Sequence, residues 1–348
     1  ITPEGIQKNL KNIKPLDAIW EYIWNGFDAF ATQVEVELHR NKMGLINMIT
    51  IRDNGCGINY DELKYKFQPF NDSKKANVSQ KTNHTLPHGR KGIGRLTFFA
   101  FSQTARWDTV YRKDGDTYEY YISMNKDSLN QYDDNGEKLP CKVEKLTGTK
   151  VSFTQLESME KEDIINKIKE EFFWFLELNK ENDYKIIVDK ECIDYSDFVE
   201  HTENMDVSKY GCKEMYDVRF VQWKQKLGNE YSRIYYLGSD NKERYKETTK
   251  LNKRADHFFH SVYIKSSYFD DFHFTNEEIE GQGDLFPNKC DDEYKILING
   301  INTFLIKYRS RYLKEASDAY ISKLIDDKLY PEFDTTNFIQ AYQKKELD

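Results

Sequence analysis

The stretch EYIWNGFDAF, residues 21–30, decides how this chain is read. Glu21, Asn25 and Asp28 stand at i, i+4 and i+7, so a helix brings all three to one face. Around them, apolar residues fall at 16, 19, 20, 23, 24, 27 and 30, which is the spacing of an amphipathic helix. Trp20, Ile23, Trp24 and Phe27 fill much of the circumference, so the helix is expected to be largely buried. A carboxylate buried there needs a cation, a ligand or hydrogen-bond donors. Taken alone, the stretch reads equally as a partly exposed helix with a solvated polar face.

Two further segments bear on that choice. IRDNGCGI, residues 51–58, places Asp53 at the end of a strand, followed by Gly55 and Gly57. An acceptor beside two glycines suits close approach of a flat ligand to backbone, although a plain strand-to-turn junction reads the same way. HGRKGIGRLTFF, residues 88–99, sets Gly89, Gly92 and Gly94 before a helical pattern. Such glycines let backbone wrap an anion, and a helix start offers unpaired N–H groups to phosphates. A single G-x-x-G-x-G is weak by itself.

In this order and spacing, ExxxNxxDA, DNGxGI and GxxGxG resemble the motifs of the GHKL ATPase superfamily, together with the Gly-Thr of GTKVSF (148–153). That superfamily includes DNA gyrase B subunits, ninety-kilodalton heat-shock chaperones, histidine kinases, MutL and MORC proteins. The resemblance covers roughly residues 1–160. It implies an α+β fold of the Bergerat type, a mixed sheet covered by helices on one face. It also implies ATP and Mg²⁺ as ligands. Glu21 is then the general base that polarises the attacking water, Asn25 a Mg²⁺ ligand, and Asp28 an acid bracing the site. Asp53 resembles the adenine reader, with Gly55, Gly57 and Ile58 in its turn and Thr149 as its helper through a water. Ser73 and Lys74 are similar to the Ser-Lys that precedes the family's flexible ATP lid, expected at about 71–94. Gly89, Gly92, Ile93 and Gly94 would wrap the phosphates, with Arg90, Lys91 or Arg95 adding charge. Arg90-Lys91 makes this loop more basic than in many relatives. Cys56 occupies a variable position and is expected to be an inert thiol.

Composition sets outer limits. The chain has 348 residues, 32% charged and 15% aromatic, which suggests about two domains. A net charge of -8 gives no global pull toward nucleic acid or an anionic membrane. No apolar run is long enough for a transmembrane helix. Five scattered cysteines without a CxxC pair favour neither a disulfide framework nor a zinc site, and point to a reducing cytoplasm. The chain opens at Ile1 rather than Met, as a trimmed or processed chain does.

Strand patterns follow in TQVEVELHR, LINMITIRD, RWDTVYRK, TYEYYISM and GTKVSFTQ, and KEDIINKIKEEFFWFLEL (161–178) reads as a helix. The expected layout is an ATP-binding domain over 1–165, a transducer-like α/β domain over 183–330 ending in a long helix, and a tail at 331–348. Histidine kinases carry their ATPase module last and need no water-activating Glu. Here the module comes first, as in gyrase B, MutL, chaperones and MORC proteins. In those relatives a transducer lysine reaches the γ-phosphate. KETTKLNKR (246–254) offers Lys250 and Lys253, and Lys250 is the expected residue, although a solvated basic loop reads as well. The resemblance implies an ATP-dependent homodimer, slow turnover, and a client that is either DNA or protein. Protein phosphorylation of the histidine-kinase type and nucleotide sensing without turnover are the rival readings.

Overall fold

A computed structural model describes residues 12–67, 94–227, 231–252, 256–274, 287–334 and 336–347. Ser73, Lys74, Gly89, Arg90, Lys91, Gly92, Ile93 and Lys253 lie outside the described residues, as does nearly all of the expected lid. The chain divides into two compact units. One holds the described residues up to Phe198 together with Asp240–Arg244, and the other holds Val199–Ser239 and Tyr245 onward.

The first unit is built on a mixed sheet of strands β1 (Gln33–Arg40), β2 (Ile46–Asp53), β3 (Ser102–Lys113), β4 (Asp116–Asn125), β5 (Asp133–Asp134), β6 (Cys141–Val143), β7 (Gly148–Leu156), β8 (Lys185–Val188) and β9 (Glu191–Cys192). Their spatial order is β5-β4-β3-β7-β2-β1-β8-β9, with β6 on β4. All pairings are antiparallel except β1 with β8, which is parallel. Burial alternates along β7, where Thr149, Val151 and Phe153 point inward while Lys150 and Ser152 stay partly exposed. One wet face and one covered face produce that alternation.

Helices α1 (Pro15–Asp28) and α3 (Lys161–Leu178) cover the buried face, and a short helix α2 (Leu63–Phe67) follows β2. Pro15 sits at the first turn of α1, where its missing N–H costs nothing. Ile19, Ile23 and Phe27 are buried, and Trp24 packs 4.5 Å from Phe172 and 4.8 Å from Phe175 of α3. Each such side chain contributes about 1.5–3 kcal/mol on burial, so this face anchors α1 without help from its polar stripe. Residues 94–100, read from sequence as an α-helical pattern, form a 3₁₀ helix instead. Their apolar residues fit either period over so short a run.

The second unit carries a five-stranded sheet ordered β10-β11-β14-β12-β13. Its strands are β10 (Val199–Met205), β11 (Asp217–Trp223), β12 (Arg233–Leu237), β13 (Glu243–Thr248) and β14 (Phe259–Lys265). The long helix α4 (Asp292–Asp326) buries Tyr294, Leu297, Ile301, Leu305 and Tyr308 in a core with Phe220, Val262 and Ile264. A last helix, α5, spans Phe338–Leu347. No helix among the described residues is long and apolar enough to cross a membrane.

Candidate active site

The polar stripe of α1 comes first. Glu21, Asn25 and Asp28 are half-buried, while Tyr22, Ile23, Trp24, Gly26 and Phe27 between them are buried. Gly94 is packed against this stripe. A Cβ at Gly94 would lie 2.9 Å from Glu21 Oε2 and 3.8 to 3.9 Å from the amide atoms of Asn25. Tyr22 fixes that approach, since its hydroxyl donates to the carbonyl of Arg95 at 2.9 Å and accepts from Phe98 N at 3.0 Å. Burial pushes the Tyr22 hydroxyl well above its ordinary pKa, so it stays neutral in both roles. The Thr97 hydroxyl donates to Gly94 O at 2.8 Å and tightens the same turn.

Arg95 is one of the residues expected from the sequence to add charge for phosphates. Its Nη2 donates to the carbonyl of Phe67 at 3.0 Å, and the guanidinium lies 5.7 Å from the Phe67 ring centre. Burial lowers its pKa to about 10. The arginine thus ties together the two chain positions that flank residues 68–93.

The second motif meets the first at a glycine. A Cβ at Gly26 would lie 3.0 Å from Asp53 Cβ and from Val34 Cγ2, so the small residue lets α1 lie close to the end of β2. Asp53 Oδ1 accepts from Gly55 N at 2.9 Å and from Thr149 N at 3.2 Å. Burial outweighs these two donors and raises the Asp53 carboxyl to about 6. Thr149 faces Asp53 across the β2–β7 ladder, so the contact follows from strand register.

Thr109 was not singled out in the sequence, where it is one residue of a strand pattern. Its hydroxyl oxygen accepts from Ile58 N at 2.9 Å and lies 3.1 Å from the Thr149 hydroxyl, joining the glycine turn to β7. Gly57, expected to leave room for a base, has φ of 74°, and a Cβ there would lie 2.1 Å from Val110 O. The close approach at Gly57 is therefore to strand β3. Behind α1, Trp24 Nε1 donates to Glu171 Oε1 at 3.1 Å. Burial, with the Glu21 charge adding to it, raises Glu171 to about 7.

The first unit thus gathers Glu21, Asn25 and Gly94 at one place, and Asp53, Gly55 and Thr149 across Gly26 from them. Glu21 offers a carboxylate base and Asn25 a neutral amide oxygen. Among the described residues no group of three or more His, Cys, Asp or Glu is placed to hold a metal ion. The Asn25 amide oxygen is a hard, neutral donor of the kind that Mg²⁺ accepts beside phosphate oxygens and water. Lys250 lies in the second unit, exposed, just past β13.

The chain is similar in sequence to known proteins. Residues 13–162 match the family model described as histidine kinase-, DNA gyrase B- and HSP90-like ATPase. A putative MutL protein homolog 1 of Schizosaccharomyces pombe is 39% identical over 79 residues, which is 23% of this chain and 11% of that protein. A putative type II restriction enzyme HgiDII of Herpetosiphon aurantiacus is 28% identical over 120 residues, covering 34% of this chain and 17% of the relative. The chain thus spans less than a fifth of the length of these curated relatives. The Aquifex aeolicus MutL ATPase domain complexed with ADP superposes with a TM-score of 0.35 and 15% identity, over 73% of this chain and 92% of that one. Through residues 13–162, the chain carries a domain of the GHKL ATPase superfamily.

Proposed function

We propose that the protein binds ATP with Mg²⁺ and hydrolyses it slowly, using the nucleotide to drive a dimeric, clamp-like switch. One observation carries this reading: the Glu21 carboxylate and the Asn25 amide lie together under the backbone of Gly94, across Gly26 from the half-buried Asp53. Asp53 reads adenine by accepting from its exocyclic amine, while both backbone donors to the carboxylate fall on Oδ1. Asn25 supplies an oxygen for Mg²⁺, which when bound neutralises charge on the phosphates. Glu21 takes a proton from the attacking water, the work of a positioned general base. Asp28 braces the stripe, and Lys250 supplies the cation that senses the γ-phosphate.

ATP shifts the switch only through its differential affinity for the closed form. Conformational steps then limit turnover. The relatives named as a MutL protein homolog and a type II restriction enzyme make DNA the first client to test.

Steady-state release of phosphate by wild type and Glu21→Ala tests the core of the reading. A loss of at least about 100-fold in kcat with ATP affinity retained is expected for a lost general base. Hydrolysis by Glu21→Ala at the wild-type rate would falsify the assignment. Transfer of phosphate to protein with none released supports a kinase of the histidine-kinase type. Tight binding without turnover, even with DNA present, supports a sensor. Sedimentation with and without ATP, and with and without DNA, tests the dimer and the client.

A further inference from the structure

The turn that carries Lys250 stands on a buried polar network in the second unit. Thr249, Ser232 and His260 are 5%, 4% and 0% exposed. His260 Nδ1 lies 3.0 Å from the carbonyl of Phe258, an acceptor only, so Nδ1 carries the ring hydrogen. Nε2 is then a bare acceptor, and the Thr249 hydroxyl, 3.0 Å away, donates to it. The Thr249 hydroxyl oxygen accepts in turn from Asn252 Nδ2 at 3.3 Å.

Ser232 closes the network from β12's side. Its carbonyl accepts from Thr249 N at 3.0 Å and from Asn252 Nδ2 at 3.1 Å. Its N–H donates to Asn252 Oδ1 at 2.8 Å, and its hydroxyl accepts from His260 N at 3.1 Å. Four polar side chains therefore hold both ends of a turn with Lys250 and Leu251 in its middle. Lys250 is the exposed member. A buried network of this kind is costly when half-satisfied and rigid when complete, so it specifies one backbone conformation.

We propose that Ser232, Thr249, Asn252 and His260 are positioning residues for Lys250, holding its turn in one conformation so that the lysine is presented at low entropic cost. The inference rests on the role given to Lys250 above. It predicts that loss of the Thr249 hydroxyl mimics loss of the Lys250 amine, because both remove the same positioned charge.

Four variants of the full chain test it: Lys250→Ala, Thr249→Val, Thr249→Ser and the double variant Lys250→Ala with Thr249→Val. Thr249→Val keeps shape and removes the hydroxyl. The expected result is a loss of about tenfold in kcat for Thr249→Val, with KM for ATP within about twofold. Thr249→Ser should restore kcat, and Thr249→Val should cause no further loss on top of Lys250→Ala. Hydrogen exchange of the Thr249 amide, measured without nucleotide, should quicken at least about tenfold in Thr249→Val while amides of β11 and β14 stay protected.

Unchanged exchange overturns the positioning role whatever the kinetics. Equal losses from Thr249→Val with and without Lys250 also overturn it, since the hydroxyl then acts elsewhere. Wild-type kcat in Lys250→Ala removes the lysine's role, and the proposal with it. If wild type proves not to hydrolyse ATP, the ATPase reading fails on its own, because the exchange arm still reads the turn directly.

Discussion

Replacing Asp53 by Asn is expected to strengthen the fold and abolish its use. Asp53 is half-buried, and burial raises its carboxyl from 3.8 to about 6 despite bonds from Gly55 N and Thr149 N. The folded state therefore favours the protonated acid. Its stabilising contribution is fully present below pH 3.8 and is lost as pH rises through about 6. A rise of about 2 units corresponds to a ceiling of ~3 kcal/mol at pH 8, reduced to roughly 1–2 kcal/mol because the group is partly exposed. Asn mimics the neutral acid: its Oδ1 can accept the same two backbone bonds, and it carries no charge to desolvate. Asp53→Asn should thus be more stable than wild type by roughly 1–2 kcal/mol at pH 8, with the gain vanishing near pH 4. Its amide nitrogen would turn donors toward an adenine amine that also donates. ATP binding should then weaken by about 100-fold or more, the cost of a buried polar group left unpaired. Urea unfolding at pH 8 and pH 4, with calorimetric titration of ATP, measures both effects. A variant less stable than wild type at pH 8 would refute the burial argument. One that binds ATP with wild-type affinity would refute the adenine assignment.

Three other changes separate packing from chemistry. Gly94→Ala places a Cβ 2.9 Å from Glu21 Oε2, a side-chain end that is able to swing away. Its kcat should fall about tenfold while the unfolding free energy from urea titration holds within about 0.5 kcal/mol. Gly57→Ala meets the rigid Val110 carbonyl at 2.1 Å and must keep φ at 74°, so a loss of roughly 2–4 kcal/mol in unfolding free energy is expected. His260, fully buried, has its pKa lowered to about 4 by desolvation, so its neutral form favours folding. That stability is present above pH 6.5 and is lost as pH falls toward about 4, up to ~3 kcal/mol in urea titrations, and His260→Gln should flatten the slope.

What was legible in the sequence is local. Glu21, Asn25 and Asp28 share a helix face by arithmetic, and Asp53-Asn54-Gly55 announces a strand ending in a turn. The contacts that complete the site depend on which strands pair. Thr109 reaches Ile58 N only because β3 lies beside β7, and nothing in RWDTVYRK marks that threonine. Strand β8 joins the first sheet by parallel pairing with β1, although some 145 residues of chain separate them and no local pattern reports such a partner. Nothing in EYIWNGFDAF marks Tyr22. Its hydroxyl, bonded to Arg95 O and Phe98 N, became visible as a site element only when residues 94–98 were placed beside it. The polar network under Lys250 is likewise assembled from residues 232, 249, 252 and 260, and only the strand order brings them together.

The three motifs are joined by missing side chains. Gly26 admits Asp53 to the side of α1, and Gly94 admits its own backbone to the top of Glu21. A Cβ at the first would stand 3.0 Å from Asp53 Cβ, and one at the second 2.9 Å from Glu21 Oε2, the end of a flexible side chain. Tyr22 holds residues 95–98 to α1 at two points, so that segment and the Glu21 stripe share one support. Asp53 takes its hydrogen bonds from β7 and from its own turn. Under the proposed roles, recognition at Asp53 and catalysis at Glu21 rest on different supports. A change in residues 94–98 should alter turnover before it alters affinity.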